Sequence, residues 1–299
     1  MGEWKRTFGT EQDVKQISLE RAAWTMLLAH VFLSLFGLAG IAIMAPHPEI
    51  WSDWGLLASL FPLAVAQGGN LQIILGAAAV LAFGTVLAGR RAMFIFFAVS
   101  VTLSLLFEFT GTSFGWPFGN YEYTELFGFK ILGKVPPVIP LSWFSMGFAS
   151  FAVATALVRT RYGFTRLWPS ILLGSAMLVA WDMVLDPAMS HPSLLLQYWV
   201  WEDVGPYLGI PVVNFLGWMA TGVIFMAVAS HLDDRLRPIR AEQGNFFLIM
   251  YVCNLLFAAG ICLGNQIWLP ALLGLGLASV VMLAWFWPGL RPAMLSSDV

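Results

Sequence analysis

Charged side chains are scarce in this chain. Only 11% of its 299 residues are Asp, Glu, Lys or Arg, whereas 59% are hydrophobic, and the mean hydropathy is +0.78. An ordinary soluble domain carries about 25% charged residues. The composition therefore excludes a soluble domain of ordinary make-up and predicts an integral membrane protein.

The chain also has few cysteines, few histidines and no excess of positive charge. Cys253 and Cys262 are nine positions apart on one predicted helix, and at about 100° per residue they point to opposite faces. They therefore predict neither a disulfide nor a metal site.

His30 and His231 are isolated in the sequence, and isolated histidines are more often structural than ligands. The net charge of −2 offers no cationic face for nucleic acid, so we expect no nucleic-acid partner.

Long apolar runs are abundant. A helix needs about twenty apolar residues to cross a bilayer, and eight runs of roughly that length are present. Their predicted limits are Ala22 to Ala45, Asn70 to Leu87, Ala92 to Gly111, Val138 to Val158, Leu167 to Met189, Ile210 to Ser230, Asn245 to Leu263 and Gln266 to Trp287. The predicted fold is all-α, a polytopic transmembrane bundle of about eight helices.

The basic residues fall in every second connection, as expected for a chain that crosses the membrane eight times. Cytoplasmic loops carry the excess of Lys and Arg, and thirteen of the fifteen basic residues fall before the first helix, in even-numbered connections or after the last helix. They are Lys5, Arg6, Lys15, Arg21, Arg90, Arg91, Arg159, Arg161, Arg166, Arg235, Arg237, Arg240 and Arg291. The other two, Lys130 and Lys134, lie in the third connection. We therefore expect both termini to be cytoplasmic, with 1–21 and 291–299 outside the membrane.

Three carboxylates lie inside predicted spans: Glu108 in the third helix, and Asp182 and Asp186 in the fifth. An ionisable side chain in a bilayer is costly and usually faces the bundle interior or a wet cavity. Asp182 and Asp186 are four residues apart, so they share one helix face, about 6 Å apart along the axis. Asn214 lies near the start of the sixth helix at a similar depth. These four side chains mark the predicted site, in the non-cytoplasmic half of the membrane.

Two loops on the same side of the membrane are rich in aromatic residues, Gly and Pro. They are GTSFGWPFGNYEYTELFGFKILGKVPPVIP and SHPSLLLQYWVWEDVGPYLGIP. We expect these loops to fold back over the mouth of the bundle. Their tryptophans also fit an interfacial aromatic belt.

A membrane site that combines carboxylic acids, an amide and loops rich in aromatic residues suits the hydration of an isoprenoid alkene. Desolvation in an apolar pocket favours the protonated form of a carboxylic acid, and a second carboxylate nearby reinforces this preference. Such an acid can protonate a trisubstituted double bond. Aromatic faces can stabilise the resulting tertiary cation, and a second carboxylate can deprotonate the attacking water.

Three other interpretations remain open. Asp182 and Asp186 have a spacing that could hold a divalent ion against a diphosphate, as in a membrane prenyltransferase. However, the comparable pair, Asp233 and Asp234, belongs to the opposite membrane face. A non-enzymatic proton-coupled carrier could use the carboxylates as a relay, although they cluster at one depth. The acidic groups could also simply bond neighbouring helices.

Several ordered motifs resemble the membrane-integral carotenoid biosynthesis family, which contains the carotenoid 1',2'-hydratases and the bisanhydrobacterioruberin hydratases. The matching segments are Glu108 followed by FGWPFGNYEYTELFG, then KVPPVIPLSWFSM, WDMVLDP, WVW and YLGIPVVNFLGW. The resemblance implies a cofactor-independent enzyme, with 22–290 as one membrane-embedded catalytic domain. It would add water across the terminal 1',2' double bond of an acyclic (psi) carotenoid end, such as that of γ-carotene or lycopene.

The resemblance also implies roles for nine residues. The expected catalytic residues are Glu108, Asp182, Asp186 and Asn214. The expected substrate-binding residues are Tyr121, Tyr123, Trp143, Trp199 and Trp201. Expected partners are a lipophilic carotenoid, membrane lipid and other carotenoid-pathway enzymes, in a bacterial or archaeal-type cell membrane or a thylakoid.

Overall fold

All eight predicted helices are present in the structure, a computed structural model that describes residues 11–158, 167–236 and 244–287. The helices are α1 (Glu11–Ala39), α2 (Leu56–Ala88), α3 (Arg90–Phe114), α4 (Val138–Val158), α5 (Trp168–Ser190), α6 (Val212–Leu232), α7 (Asn245–Gly264) and α8 (Trp268–Phe286). Each contains a stretch that is long and apolar enough to cross a membrane by length and composition. The chain is thus an integral multi-pass membrane protein, as predicted.

The first two helices begin earlier than the sequence predicted. Helix α1 begins at Glu11 rather than Ala22, so Lys15 and Arg21 lie in its first turns. Helix α2 begins at Leu56 rather than Asn70 and continues through Gly68 and Gly69, although glycine is a poor helix former. After Ala39 the backbone of α1 widens into a π-helical turn, Gly40–Met44.

Helix α4 forms the centre of the bundle. Almost all of its residues are buried, and it packs against α2, α3, α5 and α7. Close approach between α4 and α5 depends on Gly174, where an added Cβ would lie 3.1 Å from the backbone Cα of Phe151. Small residues at such contacts let membrane helices pack tightly without a hydrophobic driving force.

The two aromatic loops meet in a short antiparallel ribbon that the sequence did not predict. Strand β1 (Tyr121–Tyr123) follows α3, and strand β2 (Trp199–Trp201) follows α5. Their register pairs Tyr121 with Trp201, Glu122 with Val200, and Tyr123 with Trp199. Asp203 fastens one end of the ribbon by accepting hydrogen bonds from the Asn120 backbone N–H (2.7 Å) and side-chain amide (3.1 Å).

Several predictions about the termini and loops fall outside the described residues. They concern the tail 291–299, the first part of the segment 1–21, and basic residues that support the topology: Lys5, Arg6, Arg159, Arg161, Arg166, Arg237, Arg240 and Arg291. The cytoplasmic location of the termini and the single domain over 22–290 stay predictions.

Candidate functional site

The nine residues singled out from the sequence all line one cavity. Its empty volume is about 1400 Å³, which includes its open mouth. The residues are Glu108, Tyr121, Tyr123, Trp143, Asp182, Asp186, Trp199, Trp201 and Asn214. They come from α3, α4, α5, α6 and both strands, so the site exists only when the bundle is assembled. All three carboxylates are almost completely buried.

A single amide nitrogen bridges the two aspartates. Asn214 Nδ2 donates to Asp182 Oδ2 at 2.8 Å and to Asp186 Oδ2 at 3.0 Å. This contact is possible because Asp182 and Asp186 occupy successive turns on one face of α5, while Asn214 lies in the first turn of the adjacent helix α6. The amide brings two carboxyl groups together at the same point of the cavity.

Asp186 receives further donors from its own helix and from β2. Its Oδ1 accepts hydrogen bonds from Trp199 Nε1 at 2.8 Å, Trp201 Nε1 at 2.9 Å and Ser190 Oγ at 2.9 Å. With the Asn214 amide, four donors therefore face this carboxyl group. Donors that converge on a carboxylate stabilise its ionised form.

Glu108 has a similar set of partners from β1 and α4. Its Oε2 accepts hydrogen bonds from the hydroxyls of Tyr121 and of Tyr123, the latter at 2.6 Å. Its Oε1 accepts one from Trp143 Nε1 at 2.8 Å. Burial raises the pKa of both tyrosine phenols well above its usual value, and the adjacent Glu108 carboxylate raises it further. Both phenols therefore stay protonated and act as donors.

The ribbon explains how two short strands supply four of these donors. Side chains alternate between the faces of a strand, so Tyr121 and Tyr123 point together into the bundle, and Glu122 between them is exposed. The paired strand presents Trp199 and Trp201 in the same way. The Glu108 donors and the Asp186 donors thus lie side by side on one small sheet.

The donors are distributed unequally among the three carboxyl groups. Asp182 accepts the bond from Asn214, whereas Glu108 accepts three bonds and Asp186 four. Two adjacent buried carboxylates resist ionising together. A proton held by this group is therefore best accommodated on Asp182, and the arrangement can supply one acid and two carboxylate bases.

The sequence analysis missed two tryptophans that complete the aromatic wall. Trp218 stacks on Trp143, with ring centroids 3.9 Å apart, and Trp181 meets Trp218 edge-on at 5.8 Å. Both line the cavity. A signal was available, since Trp181 directly precedes Asp182 and Trp218 lies one helical turn after Asn214.

Among the residues that the structure describes, the acidic and basic groups that a diphosphate site would need do not lie together. Asp233, at the other end of α6, lies 3.7 Å from Arg91 and does not line the cavity. Lys130 Nζ donates to the Tyr123 carbonyl and contacts Glu125, and Lys134 Nζ donates to the Thr112 carbonyl. Within the three described ranges, no group of three or more His, Cys, Asp and Glu side chains could hold a metal ion.

Fold and site together define a polytopic membrane protein with a buried acidic cavity walled by aromatic rings. A family model described as "Carotenoid biosynthesis protein" matches residues 68–281, which include all nine predicted site residues. The chain belongs to this carotenoid biosynthesis family, which confirms the resemblance found in its motifs.

One curated relative is the bisanhydrobacterioruberin hydratase of Haloarcula japonica. It is 31% identical to this chain over 186 residues, which cover 60% of the chain and 61% of the relative. The match thus spans about three fifths of the relative's length. No solved structure matches the chain significantly.

Proposed function

We propose that this protein is a carotenoid hydratase. It adds water across the terminal 1',2' double bond of an acyclic (psi) carotenoid end, such as that of γ-carotene or lycopene, and forms a tertiary alcohol without a cofactor. One observation carries the proposal: three buried carboxyl groups with unequal hydrogen bonding converge in a cavity walled by aromatic rings. The printed name of the relative, a hydratase, supports the same reaction class.

Asp182 is the proposed proton donor. Among the described residues it accepts a bond from Asn214 alone, whereas Asp186 beside it accepts bonds from two indoles, a hydroxyl and an amide, which favour its ionised form. Transfer of the Asp182 proton to the less substituted alkene carbon leaves a tertiary cation on the other carbon. General acid catalysis of this kind contributes about 10²- to 10⁴-fold in rate.

The cation would be stabilised by the carboxylates and by the aromatic faces of the wall. Trp143 and Trp218 form a stacked pair at the cavity, and a cation over an indole face is worth about 2 kcal/mol when desolvated. Water then forms a C–O bond to the cation. Asp186 or Glu108 orients this water and accepts one of its protons, and return of that proton to Asp182 completes a net addition of H₂O.

The site is proposed to face the non-cytoplasmic half of the membrane, and the substrate to reach it from the lipid. Other carotenoid-pathway enzymes, which make the acyclic end or modify the alcohol, are proposed as partners. The protein is proposed to lie in a bacterial or archaeal-type cell membrane or in a thylakoid.

Asp182→Asn tests the mechanism. The amide keeps the shape of the side chain but has no carboxyl proton, so we expect hydration to fall by at least about 10²-fold while the protein stays folded. Expression in cells that accumulate lycopene or γ-carotene, followed by mass analysis of the pigments, measures the reaction as a gain of one water.

Glu122→Gln provides the matched control. It makes the same acid-to-amide change on the exposed face of β1, and we expect native activity. Hydrated pigment formed at the native rate by Asp182→Asn would exclude Asp182 as the donor. Loss of wild-type activity on adding a chelator would instead favour a prenyltransferase, and pigment of unchanged mass in wild-type cells would favour a carrier.

A further inference from the structure

The cavity extends beyond the acidic cluster into a second limb between α1 and α2. We call it the glycine limb, because Gly37 and Gly40 line it from α1, and Gly68 and Gly69 line it from α2. Phe257 of α7 lies on the same limb. The limb is continuous with the site that contains Asp182, Asp186 and Glu108.

Three of these glycines face open space. A Cβ added at Gly40, Gly68 or Gly69 would meet no heavy atom within 4 Å. For Gly40 this is informative because the residue is buried: a buried position without a neighbour borders an internal void. Gly40 also begins the π-helical turn of α1, in which Ala45 N–H donates to the Gly40 carbonyl at 2.8 Å. Such π-turns are often found at functional sites.

The polar side chains of the limb bond to the protein itself. His30 Nδ1 lies 2.8 Å from the Gln72 carbonyl, which can only accept, so Nδ1 donates and Nε2 accepts from Asn254 Nδ2 at 3.0 Å. Gln72 Nε2 donates to Ser34 Oγ at 2.7 Å. This network lets polar groups line the limb while donating to one another, which suits an apolar occupant.

Part of the cavity lining lies at the outside of the bundle on α1. Phe36 lines the cavity, yet 52% of its surface is exposed. In a membrane-spanning helix this exposed surface faces lipid. An apolar chain could therefore run from the acidic cluster through the limb into the bilayer without crossing water.

We propose that the glycine limb binds the polyene chain that follows the reacting end of the substrate, and that Gly40 and Gly69 keep it wide enough for that chain. The inference rests on the proposed function. A long acyclic carotenoid places its terminal alkene at Asp182, and its remaining carbons extend past α1 and α2 to the lipid. The glycines thus determine specificity for chain length rather than the chemistry at the end group.

Gly40→Leu tests this assignment. The leucine side chain would project into the limb and obstruct a long chain, whereas a short acyclic terpene ending in the same trisubstituted alkene needs only the acidic cluster. We expect hydration of a C40 acyclic carotenoid, relative to wild type, to fall at least tenfold more than hydration of the short terpene. Product masses from purified protein in detergent measure both reactions.

Gly276→Leu is the matched control. Gly276 lies within α8, and an added Cβ there also meets nothing within 4 Å, but the residue does not line the cavity. We expect it to leave both reactions unchanged. If Gly40→Leu fails to fold, Gly69→Leu on the facing helix applies the same test.

Equal activity of the folded variant and wild type on both substrates would overturn the inference. An equal loss on both substrates would also overturn it, since the effect would then lie at the reacting end. Failure of the wild-type protein to hydrate either substrate would instead reject the proposed function, so the two failures are distinguishable.

Discussion

Asp182 and Asp186 are one helical turn apart, yet their surroundings differ. Asp186 accepts bonds from two indoles, a hydroxyl and an amide, whereas Asp182 accepts one from the amide of Asn214. The Asp186 carboxyl group therefore joins α5 to β2, whereas the Asp182 carboxyl group is the proposed proton donor. At the scale of the residue, neighbours rather than residue type separate the proposed proton donor from the proposed base.

This difference predicts two distinct stability effects. Asp186→Ala would remove the acceptor of Trp199 Nε1 and Trp201 Nε1, and each donor left unpaired costs roughly 1–3 kcal/mol when buried. Asp182→Ala would remove one acceptor from Asn214, which keeps Asp186. We expect Asp186→Ala to lower the melting temperature in detergent more than Asp182→Ala does. Equal melting temperatures would contradict the structural role given to Asp186.

At the scale of the element, the β1–β2 ribbon is what positions the donors. Tyr121 and Tyr123 bond to Glu108, and Trp199 and Trp201 bond to Asp186. Cross-strand pairing fixes the spacing between the two sets, since a slip of one strand by one residue would turn its two rings away from the bundle. The ribbon thus fixes the positions of the side chains that donate to Glu108 and Asp186.

Val200→Pro tests the role of the ribbon. Val200 pairs with Glu122, and proline has no backbone N–H to donate to the ladder. We expect hydration to fall at least tenfold while the helical circular dichroism signal stays close to that of wild type. Val200→Thr keeps the N–H at this partly exposed position and should retain activity. Native activity of Val200→Pro would show that the site does not depend on strand pairing.

At the scale of the whole molecule, the number of helices decides whether the two ends of the chain lie on the same side of the membrane. Eight crossings place both termini on one side of the membrane, and the basic residues predict that this side is the cytoplasm. The loop between α3 and α4, which carries β1, would then lie on the other side together with the site.

Reporter fusions test this topology. A fluorescent protein that matures only in the cytoplasm should be active at both the N-terminus and the C-terminus. The same reporter inserted after Gly133, in the loop between α3 and α4, should be dark, and an exported phosphatase there should be active. Opposite behaviour of the two termini would require an odd number of crossings.

The sequence by itself determined the eight helices and singled out nine residues that line one cavity. Hydrophobic runs of bilayer length specify helices locally, so α3 to α8 were predicted nearly to their ends. Carboxylates such as Glu108 and Asp182 stand out in these runs because burying them in a membrane is costly. No structural information is needed to notice them.

Only the tertiary structure decided which donors face which acid and where the cavity leads. The bonds from Trp201 to Asp186 and from Tyr123 to Glu108 join residues whose relative positions depend on the pairing of two loops far apart in the chain. The glycine limb likewise arises between helices, where Gly40 and Gly69 leave space that no local pattern reports. Long-range packing creates both features, because hydrogen-bond geometry and empty volume are properties of the assembled bundle rather than of any one segment.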